Sequence, residues 1–281
     1  MAMEEDRLVF GYTRRAVALD LFVVTAVVPA VLIALHLFLP ESARTTLVLQ
    51  HGDPDPFEFL TAAYVHSNVP HLRNNITGYL AAIVMAYLLC LEAGRRRWFV
   101  ATLAVVLVVV PVFVNVVSYV TFAGAFPADP TTRGFSAVVA ATAGFVYVAL
   151  LVLLRTAYST ETATFAGAVI FLVLLVTFYV LHVSVIEPLL LAGASGSALL
   201  CLAALVVSAR GRIPRNRAGW KRLGSESVPV ALVTALLVAF VVGLFPQRVI
   251  VDGMIINVYA HWLGLVGGVA AAVLLEPVVT D

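Results

Sequence analysis

Residues 99–122 read FVATLAVVLVVVPVFVNVVSYVTF, 24 residues without one charged side chain. A hydrocarbon layer is crossed by about 20 helical residues. Inside it every backbone amide must find its partner within the segment, which a helix provides. The stretch therefore reads as a membrane span, and the rest of the chain repeats the pattern. Of 281 residues, 62% are hydrophobic and 12% charged, with a mean hydropathy of +1.03, values foreign to soluble domains. Eight stretches qualify as spans: 16–39, 71–91, 99–122, 135–154, 165–182, 189–207, 229–244 and 257–275. The expected fold is an all-α polytopic membrane protein forming one integral domain, with 1–15 as a cytoplasmic segment and 16–277 as the bundle.

The net charge of +1 says little, whereas the positions of the charges say more. Arg14 and Arg15, the run Arg95 to Arg97, Arg155, and the cluster Arg210, Arg212, Arg215, Arg217, Lys221 and Arg222 fall at alternate ends of the spans. Basic residues accumulate on the cytoplasmic side. The opposite loops hold Asp53, Asp55, Glu58, Asp129, Glu187 and Asp252, with Arg44, Arg133 and Arg248 as their basic members. Both termini are thus expected in the cytoplasm, and the cell (plasma) membrane is the expected location. The loop 208–227 is basic enough to meet anionic lipid headgroups, and no nucleic-acid role is implied. Cys90 and Cys201 lie in apolar runs and read as packing residues. The run after Arg15 is too long for a signal-peptide core and reads as a retained span.

Polar groups within spans are costly and mark candidate sites. Three places stand out. In His66-Ser-Asn-Val-Pro-His71-Leu-Arg-Asn-Asn75, His71 and Asn75 are one helical turn apart and share a face. They could aim a ring N–H and an amide at one point, as a developing oxyanion requires, or could simply form a polar mouth. Gly134-Phe-Ser136-Ala137 opens the fourth span, and Ser136, Ala140 and Gly144 form a stripe of small groups. A serine in such a stripe often serves only as hydrogen-bonding glue. His261, Gly264 and Gly268 share a face of the last span. Two small-faced helices can pack closely, which would set His261 beside Ser136, and imidazole is a suitable base for a serine nucleophile. No Asp or Glu lies in these three spans except Glu92 at a far end, so an Asp-oriented triad is not indicated.

The ordered set His66, His71 and Asn75, then Gly-x-Ser, then Ala-His-x-x-Gly-x-x-x-Gly resembles the rhomboid intramembrane proteases. The likeness is closest over 61–154 and 259–275, including Glu92-Ala-Gly before a basic run. It implies a rhomboid-like bundle whose six-helix core is extended here by a pair of spans between the Ser and His helices. It further implies that Ser136 attacks the scissile carbonyl and His261 carries the proton. His71, Asn75 and the Ser136 N–H would hold the oxyanion, with His66 bracing the second span and Gly134, Gly144, Gly264 and Gly268 as structural neighbours. Neither a metal nor an organic cofactor is implied. The implied partners are single-span membrane protein substrates, with lipid around them; the oligomeric state is not legible.

The chain departs from that family in three ways. Ala137 replaces the usual Gly after the nucleophile, the Trp-Arg signature is missing from 40–57, and eight spans stand for six. Two added spans preserve parity, so the His-bearing helix still descends from the outer face. The segment 245–256 and the seventh span are expected to replace the family's gate and cap. Gly193-Ala-Ser195-Gly196 fits the family tetrapeptide literally, making Ser195 a rival nucleophile. Ser136 is preferred because Gly144 follows it by eight residues where Ser195 has Ala203. His36, His51 and His182 are expected to be solvated or interfacial, and Pro111 to kink the third span. Two other functions compete: an inactive rhomboid-like protein that escorts membrane proteins, and a small-solute transporter. The clustering of polar groups at one end of the spans disfavours the second.

Overall fold

A computed structural model describes residues 8–122, 131–183, 186–208, 216–246, 250–251 and 254–279. Asp129, Arg210, Arg212, Arg215, Arg248 and Asp252, used above to orient the spans, lie outside the described residues, as does most of the loop before Arg133. Among the described residues, eight helices are long and apolar enough to cross a membrane, and the protein is an all-α, multi-pass integral membrane protein. The chain divides into two compact units, Met1–Phe145 with Tyr259–Asp281, and Val146–Val258.

The first unit begins with a two-residue hairpin, β1 (Leu8–Val9) and β2 (Tyr12–Thr13). Thr13 then caps the first span by accepting from the Ala16 N–H. That span is α1 (Arg14–Phe22), a π turn over Val23–Val27, and α2 (Val28–Phe38). Asp20 lies on its face, and a carboxylate there needs partners. Arg96 supplies two contacts, at 2.6 and 2.8 Å, and the Tyr87 hydroxyl a third at 2.8 Å. The segment between the first two spans folds into short pieces: α3 (Glu41–Thr45), β3 (Leu49–Gln50), α4 (Glu58–Thr61) and a 3₁₀ turn over Ala62–Tyr64.

Next come α5 (Val69–Glu92) and α6 (Arg96–Phe122), the latter running through Pro111 without interruption. A two-residue strand β4 (Thr131–Thr132) pairs antiparallel with β3 and leads into α7 (Ser136–Ala157). α11 (Val258–Leu275) closes this unit. Its core is aromatic at one end, where Trp98 and Phe99 pack on Phe145 and Tyr87 packs on Phe99, and Trp98 donates from its indole N–H to the Ala272 carbonyl at 3.0 Å.

The second unit contains the remainder of α7, α8 (Thr160–His182), α9 (Pro188–Ser208), α10 (Arg217–Leu244) and the hairpin β5 (Ile250–Val251) with β6 (Met254–Ile255). α8 packs on α9 and α10. The basic connection expected over 208–227 is largely helical: α10 starts at Arg217, twelve residues before Pro229. The Asn216 side chain accepts from the Gly219 N–H there, capping the helix.

One expectation about histidines fails: His51 is buried and bonds Thr132 at 2.9 Å. His36 and His182 are half-buried near span ends; His36 accepts from Arg44 at 2.9 Å, and His182 lies against the carbonyls of Phe178 and Phe245. A neutral imidazole has one donor and one acceptor, and in His51 the bond to Thr132 uses one of them.

Candidate active site

The start of α5 is dictated locally. Asn68 accepts from the His71 N–H at 2.8 Å, and Pro70 occupies the first turn, where no amide is needed. This puts His71 in the first turn and Asn75 one turn on, with the Asn75 side chain buried. The Ser67 hydroxyl lies 3.3 Å from His71 Nδ1. If that hydroxyl donates, the ring proton sits on Nε2, which with Cε1 forms the ring edge facing Gly134.

Gly134 has φ of +118°, a region that L side chains avoid. A Cβ there would also sit 2.7 Å from His71 Cε1, 2.8 Å from its Nε2 and 3.7 Å from Asn75 Nδ2. The glycine thus serves twice: it turns the chain toward Ser136, and it leaves room for the two donors. Its N–H donates to the Ala62 carbonyl at 2.9 Å. The next residue, Phe135, is fully buried between Tyr64 and Tyr79, and its N–H points at His66 Nε2 at 3.5 Å. His66 stacks edge-on to His71, centroids 5.1 Å apart. Burial, with His71 as a second cause, pushes the His66 pKa down to about 3. A neutral ring is the form that can accept from an amide.

Ser136 is the first residue of α7, and the first amides of a helix have no acceptor inside it. α7 and α11 approach to backbone distance. A Cβ on Gly264 would overlap the Ala137 carbonyl, one on Gly268 the Ala141 carbonyl, and one on Gly144 the Leu265 carbonyl and, at 3.0 Å, the Val269 nitrogen. This is small-residue packing, driven by dispersion between backbones rather than by water. The consequence is chemical: His261 Nε2 lies 2.8 Å from Ser136 Oγ. Ala137 turns its backbone to Gly264, a contact that its spacing alone did not disclose.

The arrangement therefore brings together His66, His71, Asn75, Gly134, Ser136 and His261, with Gly144, Gly264 and Gly268 at the helix seam. Ser195 belongs to the other unit, where it is exposed on α9 and space is open around Gly193 and Gly196. Sequence reasoning missed His51, Thr132, Tyr64 and Tyr79, whose partners are remote in the chain. Asn75 Nδ2 is buried without a hydrogen-bond partner, a state that calls for an explanation in a folded protein. A donor held ready for a transient charge is one.

Comparison with known proteins finds no matching family model, no matching curated protein and no matching solved structure. The chemistry must stand on geometry. Among the described residues, no group of three or more His, Cys, Asp or Glu side chains could hold a metal ion. The site holds a serine hydroxyl bonded to an imidazole, an unpartnered amide facing the same turn, and the first turns of α5, α7 and α11, whose helix dipoles favour negative charge. That set can activate an alcohol and stabilise an oxyanion.

Proposed function

We propose that this protein is an intramembrane serine endopeptidase with a rhomboid-like helical core, cutting single-span membrane proteins in or beside their spans. The observation that carries the reading is the 2.8 Å contact between His261 Nε2 and Ser136 Oγ on two glycine-packed helices.

In this reading His261 takes the hydroxyl proton as Ser136 Oγ attacks the scissile carbonyl. The oxygen becomes negative next to Asn75 Nδ2, His71 Nε2 and the Ser136 N–H. Such donors, fixed before the reaction, lower the barrier because charge develops where they already point. His261 then protonates the leaving amine, and the acyl-enzyme is hydrolysed by water that His261 deprotonates in turn. No acidic third member is needed for this cycle, and Ser-His pairs activate serine without one. The substrate must present extended backbone, which a membrane span does only where its helix loosens, so Gly, Ala or Pro near its outer end is favoured. The termini face the cytoplasm, the site opens to the outer side, and the cell membrane is the setting.

Fluorophosphonate labelling in detergent tests this. Wild type labels, and so does Ser195→Ala, while Ser136→Ala and His261→Ala lose labelling and lower turnover of a single-span substrate by ~10³-fold or more. If folded wild type neither labels nor cleaves, the protease reading is wrong and an escort role takes its place. Labelling lost in Ser195→Ala and kept in Ser136→Ala would move the nucleophile to α9.

A further inference from the structure

The segment that delivers Ser136 is held by few backbone bonds. Among the described residues its ladder with β3 covers Leu49 with Thr132 and Gln50 with Thr131, and so short a ribbon is marginal by itself. One side chain reinforces it from outside the reacting set. His51 Nε2 lies 2.9 Å from Thr132 Oγ1, and the ring is buried between Tyr119 and Phe122, each 6.2 Å away by centroid. Phe122 packs edge-on to Tyr259, centroids 5.6 Å apart, and the Thr121 hydroxyl reaches the Tyr259 hydroxyl at 3.3 Å. Tyr259 stands two residues before His261 on α11.

We propose that His51 is a positioning residue that fixes both halves of the Ser136–His261 pair: the Ser136 approach through Thr132, and the His261 turn through Phe122 and Tyr259. This rests on the reading of Ser136 and His261 as nucleophile and base. The choice of histidine carries the argument. A Phe or Leu would fill the same aromatic seat without loss of solvation, whereas a buried imidazole is costly unless bonded. Its Nδ1 is buried without a partner. The state that strands no proton there has Nε2–H donating to Thr132, so the ring is committed to that one bond. Burial lowers the His51 pKa, which keeps this neutral form at working pH. A misplacement of about 1 Å at the reacting atoms can cost ~10²-fold, so a bond that sets the angle of the 131–135 segment acts on turnover without touching substrate.

The test compares Thr132→Val, His51→Phe and Thr132→Ser with wild type for kcat and KM on a single-span substrate. Amide exchange at Gly134 is followed in the same samples. Thr132→Val and His51→Phe are each expected to lower kcat about ten-fold with KM unchanged, equivalent to about 1.4 kcal/mol. The double variant should be no slower than either, and Thr132→Ser should restore wild-type turnover. Gly134, bonded to Ala62, should exchange faster in Thr132→Val. Wild-type kcat and exchange in Thr132→Val, with fluorophosphonate still labelling Ser136, overturns the positioning role and leaves the protease reading intact. A folded wild type that neither labels nor cleaves overturns both.

Discussion

Two serines in this chain follow a Gly-x pair, and they live in opposite surroundings. Ser136 opens a helix of which 83% of the apolar window is buried inside the protein; Ser195 lies on a helix of which 0% is. The letters favour Ser195, whose tetrapeptide ends in Gly, yet the packing favours Ser136. At Gly144, Gly264 and Gly268 a Cβ would strike backbone, while at Gly193 and Gly196 it would meet nothing within 4 Å. A glycine near a serine becomes informative only when another chain occupies the space its missing side chain leaves. In α7 and α11 that space holds backbone of the facing helix, and this closeness is what lets a short imidazole reach a shorter hydroxyl.

The sharpest way to break this contrast is to fill the space. Gly268→Val must separate α11 from the Ala141 carbonyl, and since backbone cannot yield as a side chain tip can, the expected loss exceeds the ~1–3 kcal/mol of ordinary overpacking. Gly196→Val, by the same substitution on α9, should stay within ~0.5 kcal/mol of wild type, as surface changes do. Thermal unfolding in detergent measures both, and equal losses at the two sites would void the comparison. Gly134→Ala comes next. A side chain at φ of +118° beside the His71 ring costs about 1–3 kcal/mol in strain, and it displaces His71 from the turn. Labelling at Ser136 should slow even where the fold survives, whereas Gly193→Ala should leave labelling unchanged.

The two regions also differ in how much of them could be read from the sequence. Spans were legible because bilayer thickness sets a length that few other constraints mimic, so helix limits differ from the apolar stretches by a few residues except at α10. There the apolar stretch begins at Pro229, but Asn216 caps the helix thirteen residues earlier. The approach of α7 and α11 was legible in the four-residue spacing of Ser136, Ala140 and Gly144 against His261, Gly264 and Gly268. The seating of His51 was not. Its bond to Thr132 joins residues 81 apart, and the short pieces over 41–64 carry no period long enough to announce a fold. The conformation of Gly134 was hidden as well, since the sequence marks a glycine without saying which neighbour needs its absent side chain.

His66 sets the smallest and most specific test, because its role depends on charge alone. Folded, its pKa lies near 3; unfolded, it returns to the ordinary 6.5. Between those values the unfolded chain binds a proton that the folded chain does not, so stability falls as pH falls. The contribution of the neutral ring is complete above pH 6.5 and drains away down to about pH 3. For one proton the slope is about 1.4 kcal/mol per pH unit. His66→Gln retains an acceptor for the Phe135 N–H but cannot titrate, so its stability at pH 7 should lie close to wild type and its decline from pH 6.5 to 5 should be shallower by that one-proton slope. Parallel curves for the two proteins would mean that His66 is charged or solvated beside Phe135. Buried His66, just before α5, would then lose the feature that distinguishes this end of the molecule from the open face of α9.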